Sequence, residues 1–306
     1  MSDDILKFDV VIVGGGPAGM SAALWCVDAG MSAALIERGD VPGGQLGLIH
    51  NPIRNYIGLL AASGSEMTDR FVASLENLPF ERFHSLTVES LDVERRSISL
   101  SDGRSLAGDS IILATGVKRR LLNVPGQIEF QGRGILGSGA GEQEAARGKT
   151  IVIVGGGDAA LENAMILSEV AAKVIVVHRG SEFSARPDFV TSAKTLTNIE
   201  FLLETVVTSI SGDHALTNVT VEGHFRQTID TDLLLIRIGV IPNSELAVGK
   251  LETDARGYIV VDSRGATSAP GIFAVGDVAN PHSPTISTAA GSAATAVKSL
   301  VSGRQS

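Results

Sequence analysis

The stretch FDVVIVGGGPAGMSAALWCVDAGMSAALIER, Phe8–Arg38, decides the fold. It opens on a β-branched run, Val10–Val13, breaks at Gly14, Gly15, Gly16 and Pro17, continues as a helical stretch ending at Gly30, and closes on a second apolar run. That order predicts a βαβ unit. Gly14, Gly16 and Gly19 make G-x-G-x-x-G, and Glu37 ends the second strand 23 residues after Gly14. The first glycine allows the tight turn, the second lets backbone approach a pyrophosphate, and the third lets helix pack on strand. The helix N-terminus attracts the anion, and the Glu37 carboxylate accepts from ribose hydroxyls. Strand, glycines, helix, strand and acid in register predict a dinucleotide site.

The pattern recurs in KTIVIVGGGDAALENAMILSEVAAKVIVVHR, Lys149–Arg179. Gly155, Gly157 and Ala160 take the three fingerprint places, and His178 stands 23 residues after Gly155. An imidazole with Arg179 beside it replaces the carboxylate, and a cationic pair there suits a ribose carrying a 2′-phosphate. A solvated charge at a strand end is the other use of Arg179. Each unit is followed by runs that read as antiparallel strands. After the first come LTVESLDV, SISLSDGRSLAG and SIILATG, with Asp102-Gly103 as a hairpin turn. After the second come IEFLLETVVTSISG, LTNVTVEGHFRQTI and DLLLIRIG. The chain therefore reads as an internal duplication, α/β in class, with two nucleotide-binding domains. Residues 241–306 carry no fingerprint and are expected to complete one of the two.

Composition excludes other classes. Of 306 residues 44% are hydrophobic, and 35 glycines are scattered without a period, which rules out a disordered polymer and collagen. A balance of 25 basic against 34 acidic residues gives net charge −9 with no Lys/Arg cluster, so no nucleic-acid partner is expected. Cys26 is the single cysteine, which excludes an intramolecular disulfide and a cysteine zinc site; no metal is expected. A reduced, cytoplasmic setting is the expectation. Val10–Val27 is long and apolar, but the glycines and Pro17 interrupt it, so a buried strand and a buried helix are expected in place of a membrane span. The acidic start MSDDILKFD does not read as a signal peptide.

Motifs along the chain add a resemblance. VIVGGGPAG with Glu37, GGQL (Gly43–Leu46), NYIG (Asn55–Gly58), ATG (Ala114–Gly116), GRGI (Gly132–Ile135), GGGDAALENA, HR with Phe183, IGVIPN and GIFAVGD (Gly271–Asp277) occur in that order. Together they resemble the low-molecular-weight thioredoxin reductase family and the related thioredoxin-reductase-like ferredoxin-NADP reductases, over nearly the whole chain. The resemblance implies two Rossmann-like, three-layer ββα dinucleotide-binding domains, the second inserted in the first. Residues 1–116 and 242–306 would bind FAD, and residues 117–241 would bind NADPH or NADH as co-substrate. FAD contacts are implied from Gly14, Gly16, Pro17, Ala18, Gly19 and Glu37, from Gly44, Gln45, Leu46 and Asn55, and from Thr115, Gly116, Gly276, Asp277, Thr285 and Ile286. Nucleotide contacts are implied from Gly155, Gly157, Asp158, Ala159, Ala160, His178 and Arg179, and the resemblance also implies a homodimer. Gln45 and Asn55 match positions that border the isoalloxazine ring, and Thr115 matches one at the crossing between domains. Read from its own residues, GIFAVGD is a buried strand that delivers Asp277 to flavin hydroxyls. TISTAAGSAATAVKSL is a helix whose N-terminus can face a reduced flavin.

Departures from the family set the functional expectation. Family reductases carry a Cys-x-x-Cys and then an acid before the second fingerprint; ungapped alignment from GRGI puts Ser138 and Gly141 at the cysteines and Glu142 at the acid. Reducing thioredoxin through that dithiol needs an attacking thiolate and a resolving thiol, which serine and glycine cannot supply. Flavin chemistry needs no protein nucleophile. The expectation is an FAD-dependent NAD(P)H:acceptor oxidoreductase passing electrons to ferredoxin or flavodoxin, a quinone or a small molecule. A non-catalytic redox sensor and a small-molecule flavin oxidase are the alternatives. The ferredoxin reductases of this type also lack the cysteines, but they carry a C-terminal extension over the flavin, whereas this chain stops at Ser306. The family's basic cluster His-Arg-Arg-x-x-Phe-Arg-Ala reads HRGSEFSA here, with Gly180 and Ser184 replacing two arginines. Each lost charge-assisted contact weakens 2′-phosphate binding by about 1.5–3 kcal/mol, and Arg186 is the residue placed to compensate. Pro284 and Thr285 replace an Arg-Gln pair beside the flavin. Glu142, Ser138 and His50 are the candidate catalytic residues, with His282 a further proton carrier; each also reads as an ordinary polar loop residue.

Overall fold

The computed structural model describes residues 5–304. In chain order the elements begin β1 (Leu6–Val13), α1 (Pro17–Asp28), β2 (Ala33–Ile36), α2 (Gly64–Leu75), β3 (Glu81–Phe83), β4 (Val88–Asp92), β5 (Ser97–Leu100), β6 (Ser105–Leu113) and β7 (Val117–Arg119). They continue β8 (Ile135–Leu136), β9 (Thr150–Val154), α3 (Asp158–Ser168), β10 (Lys173–Val177), α4 (Pro187–Lys194), β11 (Ile199–Leu202) and β12 (Val206–Gly212). Last come β13 (Leu216–Glu222), β14 (Arg226–Asp230), β15 (Leu233–Ile236), β16 (Val240–Pro242), β17 (Ile272–Ala274) and α5 (Ile286–Arg304). Two compact units result: residues up to Lys118 with those from Ile241 onward, and Arg119–Val240.

In the first unit β3, β2, β1 and β6 lie side by side and parallel, β17 pairs with the end of β6, and β5 and β4 continue antiparallel from its beginning. Side chains alternate across β1. Val10 and Ile12 pack with Ala22, Ala23 and Cys26 of α1 and with Ala293 and Ala296 of α5. Val11 and Val13 pack on the opposite face with Leu91 of β4 and Ile98 and Leu100 of β5. Both faces of β1 are therefore buried, which is why its sequence is continuously apolar. Full burial of each such side chain is worth about 1.5–3 kcal/mol.

The second unit repeats the plan. Its parallel sheet runs β11-β10-β9-β15-β8, and β12-β13-β14 form a separate antiparallel sheet. Val174 and Val176 pack against Ala160, Leu161 and Ala164 of α3, while Ile175 and Val177 pack against Val207, Val219 and Val221 of the antiparallel sheet. Each unit is thus a three-layer α/β arrangement around a Rossmann-like parallel sheet.

Three expected antiparallel runs differ in the structure. DLLLIRIG supplies β15, a central parallel strand whose Leu233, Leu234 and Leu235 are all buried. IEFLLETVVTSISG breaks at Glu204, whose φ of 50° ends the extended run, so β11 joins the parallel sheet and β12 the antiparallel one. SIILATG is no separate strand but the end of β6, which is parallel to β1. A strand covered on both faces has no alternation, so its pattern carries no direction. Val10–Val27 is the expected strand, turn and helix, and no helix among the described residues is long and apolar enough to cross a membrane.

Candidate functional site

The first unit contains a cavity of about 780 Å³ at the carboxyl ends of its parallel strands. This is the place where an open α/β sheet binds ligands, beside the reversal of strand order between β1 and β6, and the volume lies in the ordinary range for a ligand pocket. The fingerprint glycines divide the labour. Gly14 has φ 110°, and a Cβ there would stand 2.4 Å from the Ala114 carbonyl oxygen at the end of β6. A Cβ on Gly19 would stand 1.8 Å from the Gly14 oxygen, so Gly19 serves the contact of helix with strand and does not line the cavity. Gly16 does line it, and a Cβ there would meet only Gly44 Cα at 4.0 Å, leaving bare backbone toward a ligand. Helix α1 opens at Pro17 and Ala18 with no side-chain cap, so its first donors are left for an anion.

Glu37 lines the same cavity with its carboxylate held in place: Oε2 accepts from Gly15 N at 2.7 Å and Oε1 from Gly39 N at 2.8 Å. Each oxygen keeps a lone pair for a hydroxyl. Asp277 enters from the segment after β17, and among the described residues its carboxyl has no hydrogen-bond or ion-pair partner. Burial raises its pKa above the usual carboxylate range. Gly276, with φ 70°, places it: a Cβ there would be 2.8 Å from Ala18 Cβ. An unpartnered acceptor facing a cavity, a bare glycine cradle and an uncapped helix start fit a dinucleotide carrying hydroxyls and a pyrophosphate.

Gly44, Gln45, Leu46, Thr115 and Gly116 also line the cavity. Gln45 Nε2 donates to the Val117 carbonyl at 2.7 Å. Thr115 Oγ1 donates to the Asn243 carbonyl at 2.7 Å, and Asn243 Nδ2 returns a bond to the Thr115 carbonyl at 2.8 Å. Asn243 was not singled out from the sequence, although IGVIPN contains it; it locks the strand end that the cavity is built on. Arg38, Glu89 and Lys250 are charged lining residues that no motif flagged. Pro284, Thr285 and Ile286 line the cavity at the start of α5, where Thr285 Oγ1 accepts from Thr288 N at 3.1 Å. Asn55, His50 and His282 are exposed and lie outside this lining.

In the second unit Gly155 has φ 147°, and a Cβ would stand 2.2 Å from the Arg237 carbonyl oxygen. Ala160 takes the third fingerprint place with its Cβ 3.1 Å from that position, so this turn is built to hold a methyl group. Gly157 is open: a Cβ there would have only Ser184 Oγ within 4 Å, at 3.7 Å. Ala159 is exposed in the first turn of α3. His178 lies over Gly156, stacks on Phe183 at 5.5 Å and meets the Glu182 carbonyl through Nε2 at 2.9 Å. Arg179 is exposed and, among the described residues, has no ion-pair partner. Arg186 does not extend to compensate for the two missing arginines. Its Nε donates to Asp158 Oδ2 at 2.8 Å, its backbone N donates to Oδ1 at 2.7 Å, and its guanidinium covers Phe189 at 4.1 Å.

Two dinucleotide fingerprints on repeated three-layer units limit the possible relatives. A family model described as pyridine nucleotide-disulphide oxidoreductase matches residues 8–298. The chain belongs to that family. This oxidoreductase is FAD-dependent and uses NADPH or NADH, as its relatives do. It is 32% identical over 296 residues to a thioredoxin reductase of Listeria innocua, covering 95% of this chain and 92% of that protein. It is 30% identical to an NADH dehydrogenase of Bacillus subtilis, covering 94% of this chain and 57% of that protein. The crystal structure of Lactococcus lactis thioredoxin reductase superposes with a TM-score of 0.85 at 32% identity, covering 96% and 98% of the two chains.

In this oxidoreductase the segment after β8 is a closed turn. Ser138 N donates to Glu142 Oε2 at 2.7 Å, Gly141 N donates to Ser138 Oγ at 3.1 Å, and Glu142 N donates to the Ser138 carbonyl at 3.2 Å. Arg119 Nη1 and Arg237 Nη2 both donate to the Gly137 carbonyl. Burial, then the Arg119 charge, brings the Arg237 pKa down to about 10, with Glu142 opposing. Burial likewise lowers that of Arg119. Cys26 lies in α1 of the first unit and is fully buried.

Proposed function

We propose that the first unit holds FAD, the second binds NADPH or NADH, and the electrons leave the flavin for an acceptor outside the chain. The observation that carries this reading is the cysteine inventory: Ser138 and Gly141 stand in the turn before the second fingerprint, and the single thiol, Cys26, is sealed in α1. No dithiol can be formed, so disulfide exchange through the protein is closed to this chain. Gly16 and the start of α1 would hold the pyrophosphate, Glu37 a ribose, and Asp277 a hydroxyl of the ribityl chain. Gln45, Thr115 and the Pro284–Ile286 segment would border the ring, with Thr115 and Gln45 positioned by their bonds to Asn243 and Val117. FAD, when bound, supplies hydride acceptance and electron release; the residues bind it, orient it and exclude water around it.

Ferredoxin or flavodoxin, a quinone or a small molecule is the acceptor in this reading, and the enzyme works in the cytoplasm as a homodimer. Anaerobic mixing with NADH or NADPH should bleach the flavin band, and a band unchanged by both nucleotides refutes the reading. NADPH-driven cytochrome c reduction that depends on added ferredoxin or flavodoxin identifies a protein acceptor; reduction of quinones alone identifies a small one. Thioredoxin disulfide should remain oxidised under the same conditions.

A further inference from the structure

Arg119 and Arg237 come from opposite ends of the second unit's sequence and meet at one atom, the Gly137 carbonyl oxygen. Arg237 follows the last residue of β15 and Gly137 follows the last residue of β8, so the pair stands at the carboxyl edge of the parallel sheet. Strand order reverses there: from β9 the sheet extends to β10 and β11 on one side and to β15 and β8 on the other. Such a reversal is where open α/β sheets take ligands. The fingerprint turn marks the spot, because the Arg237 carbonyl is the group that a Cβ on Gly155 would strike. His178, at the end of β10, lies on one side of the reversal and the arginine pair on the other.

Charge makes this more than a structural cross-link. Both guanidiniums are half-buried, and among the described residues neither forms an ion pair. Each has five donors, and among the described residues the pair makes three hydrogen bonds, all to backbone carbonyls, Gly137 twice and Ile236 once. Glu142 is the carboxylate whose field reaches both, and its Oε2 is taken by Ser138 N. Two like charges sharing one acceptor, with one partly committed carboxylate, leave a net positive site with free, planar donor forks.

We propose that Arg119 and Arg237 form an oxyanion-binding site that takes a phosphate or carboxylate group between the two guanidiniums. The site stands on the second unit alone; only the source of the anion rests on the oxidoreductase reading. That source is the co-substrate's phosphate or an acid group on the acceptor.

Calorimetric titration of the flavin-replete protein with inorganic pyrophosphate tests the site. Wild type should bind it, and Arg237→Gln and Arg119→Gln should each weaken binding about tenfold or more. Glu142→Gln, which removes the opposing charge and keeps an acceptor for Ser138 N, should tighten it several-fold, a sign that a purely structural role would not produce. Equal affinity across all four proteins overturns the proposal. Should Arg237→Gln lose flavin or melt early, Arg119→Gln carries the same test. Steady-state kinetics then separate the sources. A raised KM for NADH and NADPH assigns the anion to the nucleotide, whereas a raised KM for a carboxylated naphthoquinone, with the uncharged parent unaffected, assigns it to the acceptor. Pyrophosphate binding in a protein whose flavin no nucleotide bleaches leaves the site standing and refutes the function; bleaching with flat binding does the reverse.

Discussion

Gly19→Ala should cost this protein its flavin, whereas the reverse change at the matching place in the second unit should cost little. The added Cβ would lie 1.8 Å from the Gly14 carbonyl oxygen and 3.0 Å from its carbon. A carbon–oxygen contact relaxes only near about 3.3 Å, so the start of α1 must retreat by about 1.5 Å. The obstacle is backbone and cannot rotate aside, and α1 is packed on β1 through Ala22, Ala23 and Cys26. Overpacking of this kind costs about 1–3 kcal/mol, and alanine's helix-propensity advantage of about 1 kcal/mol offsets part of it. The expected net loss is up to about 2 kcal/mol, or at most roughly 4–8 °C in melting temperature. The displaced helix start would also leave the anion site beside Gly16. Ala160→Gly should cost about 1 kcal/mol through backbone entropy and leave flavin content unchanged. Flavin-to-protein ratio and thermal melts of both variants measure this. A Gly19→Ala protein with full flavin and a wild-type melting temperature would refute the close-contact reasoning.

Glu37→Ala should weaken FAD binding by about 1.5–3 kcal/mol, or 10- to 100-fold, read by flavin release on dilution. In flavin-free protein, Asp277→Asn should be more stable than wild type at neutral pH. The Asp277 pKa is raised by burial in the folded state, so the wild-type carboxyl contributes stability below its ordinary value of 3.8 and loses it as pH rises through the raised value. The gap between the two proteins should therefore close as pH falls toward 3.8, and a pH-independent gap in chemical denaturation would contradict this. Asp158→Asn should release Arg186 and raise kcat/KM for NADPH relative to NADH by up to about tenfold. Arg179→Gln should lower kcat/KM for NADPH several-fold and leave NADH unchanged; equal effects on both nucleotides would place Arg179 away from the 2′-phosphate.

Contiguous sequence determined the βαβ units, because each is local: the glycine spacing, the helix start and the acid 23 residues after Gly14 all lie within one short stretch. The same locality carries the expectation that Ser138 and Gly141 stand in place of a dithiol, since they and Glu142 fall between two recognisable motifs. Tertiary structure decided what depends on strand order. DLLLIRIG became a central parallel strand because both its faces are covered, and a strand of that kind carries no alternation to reveal its direction. Asn243 reaches Thr115 across 128 residues, and Arg119 and Arg237 meet at Gly137 only because β8 and β15 are neighbours in the sheet. Arg186, which spacing offers as a phosphate ligand, is held at the surface by Asp158, which the fold sets beside it. Short-range patterns encode backbone turns and periodic burial, whereas the partners of long polar side chains are chosen by which strand ends the sheet brings together.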